Sequence, residues 1–471
     1  MFSQDPRKAR ARPGVSPVRV RRRLSVEQIH RPFVLLMPDE LNPEFLDALQ
    51  REAFAYFVHE ANPINGLIAD KTQSGSPASI AAVGLALSCY PVGVERGFMT
   101  RADAVARTLA TLRFFDTSQQ SVDPDATGYK GFYYHFLDMA DGTRAWKCEL
   151  STIDTALLLA GALTAARYFS GDDAGDHEIR ELADGLYRRA DWNWARNGGA
   201  AVRLGWKPES GFLRWRWRGY NEAMILQLLG LGSPTHPLPP ESWARWTATY
   251  SWRRIYDQDV VWAGPLFIHQ FSHIWIDFRG IRDAFMWDKQ SDYFENSRRA
   301  TLIQRSYAID NPLGFSGYGD NSWGITASAG PGPKTRVISG KKRRFFGYKA
   351  RGVPEGPDDG SLAPWAVAAS LPFAPEIVAP ALRHFEAMEL RKNNNYGFKA
   401  TFNATAVQDG QLWISPFHFG VNQGPLVLMI ENHRSELIWR LMRDCPYLAT
   451  GLLRAGFSGG WLDARGGSRA V

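Results

Sequence analysis

The chain has 471 residues, 45% of them hydrophobic and 22% charged, which suits a folded protein too long for one small core. Aromatic residues reach 13%, with 17 Trp, 16 Tyr and 27 Phe. An aromatic face stacks on the apolar C–H face of a sugar ring, so this excess fits a glycan cleft as well as it fits a core of large residues. The net charge of +7 resides in residues 1–31, which hold nine basic and two acidic side chains, so the rest of the chain is neutral and lacks the footprint of a nucleic-acid binder.

Residues 1–42 read as a basic leader without ordered structure, and 43–471 as one folded domain. From Pro43 apolar residues recur at three- and four-residue spacing. The spacing predicts helices over 44–60, 78–90, 100–116, 150–169, 176–190, 219–231, 264–276, 290–309, 361–372, 376–390 and 422–442, and a further one over 447–456. Thr100 is placed to cap the third, and Ser151 and Asp154 open the apolar run of the fourth. Pro91, Gly97, Gly171 and Gly232 fall at predicted helix ends. Segments 132–138 and 410–421 carry strand patterns. Long loops rich in Gly, Pro and aromatics fill 118–148, 192–218, 232–263 and 311–360. Loops of that length in a compact domain are usually functional. Ten to twelve helices with long loops at one end predict an all-α (α/α)6 toroid of six helical hairpins, with long aromatic loops and minor β at the funnel.

Cys89, Cys148 and Cys445 form no C-x-x-C pair and lie in or beside apolar stretches, so buried free thiols are expected rather than a disulfide framework or zinc site. No run of 18 apolar residues predicts a membrane span. The first residues, MFSQDPRKARARPG, lack the apolar core of a secretory signal, which predicts a cytoplasmic protein, or a periplasmic one if translation starts elsewhere.

Hydrolysis of a glycosidic bond requires two carboxyl groups flanking it, one to protonate the leaving oxygen and one to activate water or attack. Glu222 is predicted on the first turn of a helix entered from a loop holding Trp215, Trp217, Tyr220 and Asn221. A glutamate there also complements the helix dipole without further role. Asp358 and Asp359 precede a glycine and a helix, which suits a functional acid or a capped turn. Tyr134, His135, Asp138, Glu149 and Asp154 fall between aromatics and a helix start, with Asp154 the weakest candidate because it can serve the helix dipole alone. His269, His273 and Asp277 are four apart and would share one helix face, but HExxH chemistry is missing, so a sugar-binding face is expected and no metal. Tyr318 and Trp323 on a Gly-rich loop and Gln423 at a helix start complete the expected cleft lining.

Nine segments in order carry a wider resemblance: GVERG (93–97), YHFLDM (134–139), ELSTIDTALLLAGAL (149–163), YNEAM (220–224), HIWIDFRG (273–280), DYFENSRRAT (292–301), YGDNSWGITAS (318–328), DDGSLAP (358–364) and NQGPLVLMIENHRS (422–435). Together they resemble the glucoamylase-like (glycoamylase) family, which includes endo-β-1,2-glucanases and is similar to a domain of cyclic β-1,2-glucan synthases. The resemblance implies an (α/α)6 toroid and a glycoside hydrolase acting on a β-linked glucan, foremost β-1,2-glucan. It implies Glu222 as catalytic acid, with Asp138, Glu149 and Asp358 or Asp359 nearby. Trp215 and Trp217 would raise the Glu222 pKa. The implied partner is an oligo- or polysaccharide, with no cofactor, nucleic acid or membrane, and the oligomeric state is left open. A transglycosylase, a polysaccharide lyase using His135, His269, His273 and Arg279, or a non-catalytic glycan-binding protein are the alternatives.

Overall fold

The structure is a computed structural model that describes residues 41–408 and 410–466. The expected leader lies outside the described residues except for its last two positions. Sixteen helices are present among the described residues. They are α1 (Pro43–His59), α2 (Ile80–Glu95), α3 (Arg101–Thr117), α4 (Thr152–Tyr168), α5 (Ala174–Arg189), α6 (Trp192–Ala195), α7 (Met224–Gly232) and α8 (Glu241–Thr247). The chain continues through α9 (Ala284–Asp288), α10 (Tyr293–Asp310), α11 (Pro364–Ala368), α12 (Pro375–Ala387), α13 (Gly420–Ser435), α14 (Leu437–Arg443), α15 (Pro446–Arg454) and α16 (Gly460–Gly466). None is long and apolar enough to cross a membrane.

Two kinds of helix alternate along the chain. In α2 every residue from Ile80 to Gly93 is buried, and all nine residues of α7 are buried. In α4 and α13 buried residues likewise occur on all sides. A helix apolar all round must be enclosed by others. By contrast α1, α3, α5, α12 and α15 bury one face only. The buried elements are neighbours in succession. α2 packs on α4, and α4 on α7. Ile225 N–H of α7 then donates to Ser272 Oγ (3.1 Å), linking α7 to segment 266–274. Gln270 Nε2 of that segment donates to Ala366 O (2.6 Å) and Ser370 Oγ (2.8 Å), reaching α11. α11 packs on α13, and α13 returns to α2. The half-buried helices lie against these: α1 on α13, α5 on α4, α12 on α11 and α15 on α7.

Close crossings depend on glycine. A Cβ on Gly161 of α4 would stand 2.0 Å from Gly84 O of α2, and one on Gly451 of α15 would stand 1.9 Å from Leu228 O of α7. No side chain fits at either crossing. Thr100 Oγ1 accepts from Asp103 N–H (3.1 Å) at the start of α3, and Ser151 Oγ accepts from Asp154 N–H (3.2 Å) at the start of α4.

The expected minor β-structure lies in the loops, and it is more extensive than the two strand patterns at 132–138 and 410–421. Among the described residues, five two-stranded sheets and one five-stranded sheet line the loops. The largest joins 128–129, 132–134, 150–151, 205–207 and 211–212, all antiparallel. The long predicted helix 264–276 is instead two 3₁₀ turns, Leu266–His269 and Ser272–Ile274. Its opening N–H groups are spent elsewhere: Leu266 N–H donates to Ile325 O (3.2 Å) and Phe267 N–H to Thr326 Oγ1 (3.0 Å). The predicted helix 422–442 breaks at Glu436, which takes φ 58° and separates α13 from α14. Pro91 lies inside α2, which runs on to Glu95.

Candidate active site

The N-terminal ends of the buried elements converge on a cavity of about 750 Å³, within the range of small-ligand sites. Ser79 and Ala81 reach it from α2, Asp154 and Leu157 from α4, and Glu222 from the turn before α7. Phe267 and Phe271, Trp365 of α11, and Phe419 and Asn422 at the start of α13 supply the other walls. Loops complete the rim with Asp70, Lys71, His135, Phe136, Tyr348 and Phe417.

Glu222 does not stand on the first helical turn. Asn221 Oδ1 accepts from Ala223 N–H (3.0 Å), so the chain turns there and α7 begins at Met224. Ser272 Oγ donates to Glu222 O (3.3 Å), which fixes the backbone. Among the described residues the carboxyl group has no side-chain partner. Burial, opposed by its own N–H and reinforced by the charge of Asp154, pushes its pKa up to about 7. Trp215 and Trp217 are not the source of that burial. Trp215 is 67% exposed beneath the Arg214 guanidinium, and Trp217 Nε1 donates to Thr152 Oγ1 (3.0 Å). The apolar walls of Phe267, Phe271 and Trp365 exclude the water instead.

Two further carboxylates face the cavity. Asp154 opens α4, with Oδ2 2.5 Å from Ser151 Oγ and 3.6 Å from His135 Nε2. Asp70 sits on the loop before α2, and its carbonyl accepts Gly420 N–H (3.0 Å) at the start of α13. Burial raises the Asp70 pKa against the lowering charges of Lys71 and His135. His135 stands among them, stacked on Phe136 at 4.0 Å, with Nδ1 3.0 Å from Glu149 Oε1. Burial opposes a charge on this ring, but Asp154 and then the Glu149 hydrogen bond outweigh it, lifting the pKa to about 9. At neutral pH the ring is therefore an imidazolium, with Nδ1 donating to Glu149 and Nε2 at ion-pair distance from Asp154. Glu149 is half-buried beside it, and its pKa is lowered because the His135 hydrogen bond overcomes desolvation.

Most other expected site residues lie outside the cavity wall. Asp138 is exposed and its Oδ1 accepts the N–H of Ala140 (2.8 Å), closing a turn. Tyr134 is fully buried under Arg144, 4.7 Å from guanidinium carbon to ring centre. Asp358 accepts from Tyr318 (2.6 Å) and Tyr307 (3.0 Å). Asp359 is wholly buried and bidentate with Arg351 at 2.7 and 2.8 Å. Asp277 pairs with Arg279 (2.7 Å) and Arg443. Trp323 has no exposure, and Gln423 is buried with Nε2 donating to Phe398 O (3.2 Å). Tyr220 stacks on Tyr293 at 5.9 Å.

His269 and His273 share no helix face, because their turns are separate. His269 Nε2 donates to Ala263 O (3.1 Å), and His273 Nε2 pairs with Ser297 Oγ (2.9 Å). Burial depresses their pKa values to about 4 and about 3, so both rings are neutral. Among the described residues no group of three His, Cys, Asp or Glu could hold a metal ion. Cys89, Cys148 and Cys445 are buried and form no disulfide among the described residues.

Sequence reasoning missed Asp70, Lys71, Tyr348, Trp365 and Phe417, and ranked Asp154 lowest. One signal was available. Asp154 and Glu222 each immediately precede or open a segment that is apolar on all sides, TALLLAGAL and MILQLLGLG. A carboxylate at the start of an enclosed helix has nowhere to point except the space where such helices meet.

The glycoamylase family model, described as "Putative glucoamylase", matches residues 214–446. A solved "putative glucoamylase" of Bacteroides uniformis ATCC 8492 is 32% identical, covering 90% of this chain and 99% of that one, with a TM-score of 0.78. The chain belongs to the glycoamylase family. A second member of known structure, an endo-β-1,2-glucanase of Chitinophaga pinensis in complex with sophorotriose and glucose, is 25% identical over 90% of this glycoamylase and 100% of that chain, with a TM-score of 0.76. A curated relative, the exo β-1,2-glucooligosaccharide sophorohydrolase (non-reducing end) of Parabacteroides distasonis, is 28% identical over 455 residues. The present glycoamylase spans 58% of that relative's length.

Proposed function

We propose that this glycoamylase hydrolyses β-1,2-linked glucooligosaccharides, with Glu222 as general acid and Asp154 or Asp70 activating water. The observation that carries the reading is a carboxyl group held at a pKa of about 7 on a cavity wall, beside carboxylates that no arginine neutralises. A group so poised is protonated enough to donate and acidic enough to let go near neutral pH. Aromatic walls suit sugar faces. The Chitinophaga and Parabacteroides relatives act on β-1,2-linked glucans by their names, which supplies the linkage. No cofactor enters this chemistry. A lyase is disfavoured, because His269 and His273 lie in the core, Arg279 is paired with Asp277 and Glu436, and His135 is protonated and cannot serve as base.

The same proposal includes the architecture. The succession α2, α4, α7, 266–274, α11, α13 would form the inner ring of an (α/α)6 toroid, with the half-buried helices outside, and residues 43–471 acting as one catalytic domain. Helix N-termini from the whole inner ring would then point at the substrate.

The test is product analysis with purified protein on linear β-1,2-glucan, sophorose-series oligosaccharides and other α- and β-glucans. Short β-1,2-linked products lost in Glu222→Gln are expected. Well-folded protein that cleaves none of them ends the proposal. The anomer released first, read by NMR, separates inversion from retention.

A further inference from the structure

The cavity is lined by Asp70, Asp154 and Glu222, yet a strongly basic segment is anchored in its wall. Residues 330–351 carry eight lysines and arginines and no carboxylate. The segment enters and leaves through the cavity wall at Ala329, Gly330, Tyr348 and Ala350. Between these points it projects as a hairpin, Lys334–Ile338 paired with Lys341–Phe345, turned at Ser339 and Gly340 with φ 48° and 73°.

Of the eight cations only Arg351 is neutralised, by Asp359. The other seven have no carboxylate within ion-pair distance among the described residues. Arg336 even faces Arg343 across the ladder, an arrangement that costs stability in a sheet. Arg343 donates to Leu313 O and Gly314 O (both 2.7 Å) and lies over the Phe315 ring at 4.5 Å, and Arg336 donates to Val407 O (3.2 Å), so carbonyl dipoles and a ring face rather than carboxylates offset their charge. Lys341, Lys342, Arg344 and Lys349 are exposed. A neutral glucan gains nothing from this concentration of charge.

We infer that the 334–345 hairpin binds acidic groups carried by the saccharide, such as carboxylate or phosphate esters on its hydroxyls, while a neutral stretch occupies the cavity. This rests on the saccharide-hydrolase reading and adds a substrate class to it. Attachment of the hairpin to the cavity wall favours the substrate over a separate macromolecule. Summed positive potential at a cleft mouth would also speed capture of such a substrate.

The test compares neutral β-1,2-glucooligosaccharides with the same oligosaccharides succinylated or phosphorylated on terminal residues. Binding is measured by calorimetry on full-length Glu222→Gln protein and turnover on the unaltered enzyme. The expected result is several-fold tighter binding and lower KM for the charged forms. That preference should vanish at roughly 1 M salt, where the Debye length is about 3 Å. It should fall to parity in the triple variant Lys341→Gln, Lys342→Gln, Arg344→Gln, checked for folding by thermal melting. Equal handling of neutral and charged forms by the unaltered protein overturns this inference and leaves the hydrolase reading standing. Failure to bind or cleave either form overturns both. Hairpin-dependent binding to phosphatidylglycerol vesicles or duplex DNA, without preference for charged saccharide, also overturns it and assigns the hairpin to that surface instead.

Discussion

Two populations of carboxylates, one buried in the core and one half-buried around the cavity, occupy the molecule, and their partners separate them. In the helical wall, Asp359 is bidentate with Arg351, Asp277 is held by Arg279 and Arg443, and Glu431 accepts from Arg96 (2.7 Å) and Gln50 (3.0 Å). Around the cavity, among the described residues, Glu222 and Asp70 have no arginine, and Asp154 has a serine and an imidazolium. The difference is one of use. A guanidinium favours the charged form of a carboxylate, whereas burial without one pushes the Glu222 pKa up to about 7. Partner chemistry therefore distinguishes scaffold from chemistry better than proximity to tryptophan does.

The comparison is broken most directly by removing one member from each population. Glu222→Gln is expected to lower kcat by about 10³-fold with little change in melting temperature, because general acid catalysis contributes roughly 10²–10⁴-fold. Steady-state kinetics on a β-1,2-glucooligosaccharide checks it. Arg351→Met should do the opposite. It leaves Asp359 charged and unpaired in the core, at an expected cost of about 3–5 kcal/mol read from denaturant midpoints. Adding Asp359→Leu should recover much of that loss. If Arg351→Met melts normally but loses turnover, the two populations are not distinct.

The enclosed helices were the legible part of the fold. Runs such as 80–93 and 224–232 are apolar on every side, and only burial tolerates that. The caps Thr100 of α3 and Ser151 of α4 were legible too, because a cap is a local hydrogen bond. Segment 264–276 was not, because its backbone donors go to Ile325 and Thr326, some sixty residues away. The site was half legible. Glu222 and His135 stand out beside aromatics, but Asp70 lies on an ordinary-looking polar loop, and only the return of α13 against α2 brings it to the cavity. Asp359 and Asp277 misled in the other direction, since their arginine partners are not visible as partners until the chain is folded.

The pH dependence sharpens the same contrast. Only protonated Glu222 can donate, so kcat/KM should fall about tenfold per pH unit as pH rises above about 7. A pH–rate profile flat through pH 9 removes Glu222 from this role. Stability follows Glu222 in part, since its raised pKa costs at most ~1.4 kcal/mol for every unit as pH rises from about 4.5 to about 7, and the histidines outnumber it. Unfolded imidazoles take up protons near pH 6.5, but His269 and His418 do so only near 4 and His273 near 3, because burial opposes the charge. Their contribution is whole above pH 6.5 and is lost as pH falls toward 4, each ring giving up at most ~1.4 kcal/mol for every pH unit crossed. His135 acts with the opposite sign. Its raised pKa stabilises the fold fully below pH 6.5, and that stability disappears as pH rises through about 9. Melting temperatures from pH 4 to 10 should peak near neutrality, and His135→Gln should flatten only the alkaline side.

The smallest effect is expected at Asp138, and it tests the comparison from outside. Asp138 and Asp154 are both aspartates in the resembling segments, and both serve a local turn or cap. Asp138 is exposed and its carboxylate is spent on the N–H groups of Ala140 and Asp141, whereas Asp154 faces the cavity and His135. Asp138→Ala should therefore cost about 1 kcal/mol for the lost turn hydrogen bonds and leave kcat/KM within about threefold of the parent. Asp154→Asn should cost at least a hundredfold in kcat by the same assay. A hundredfold loss at Asp138 would mean that the 138–147 loop closes over bound saccharide and carries this carboxylate into the site. The second carboxylate of the reaction would then have to be sought there rather than on the inner helices.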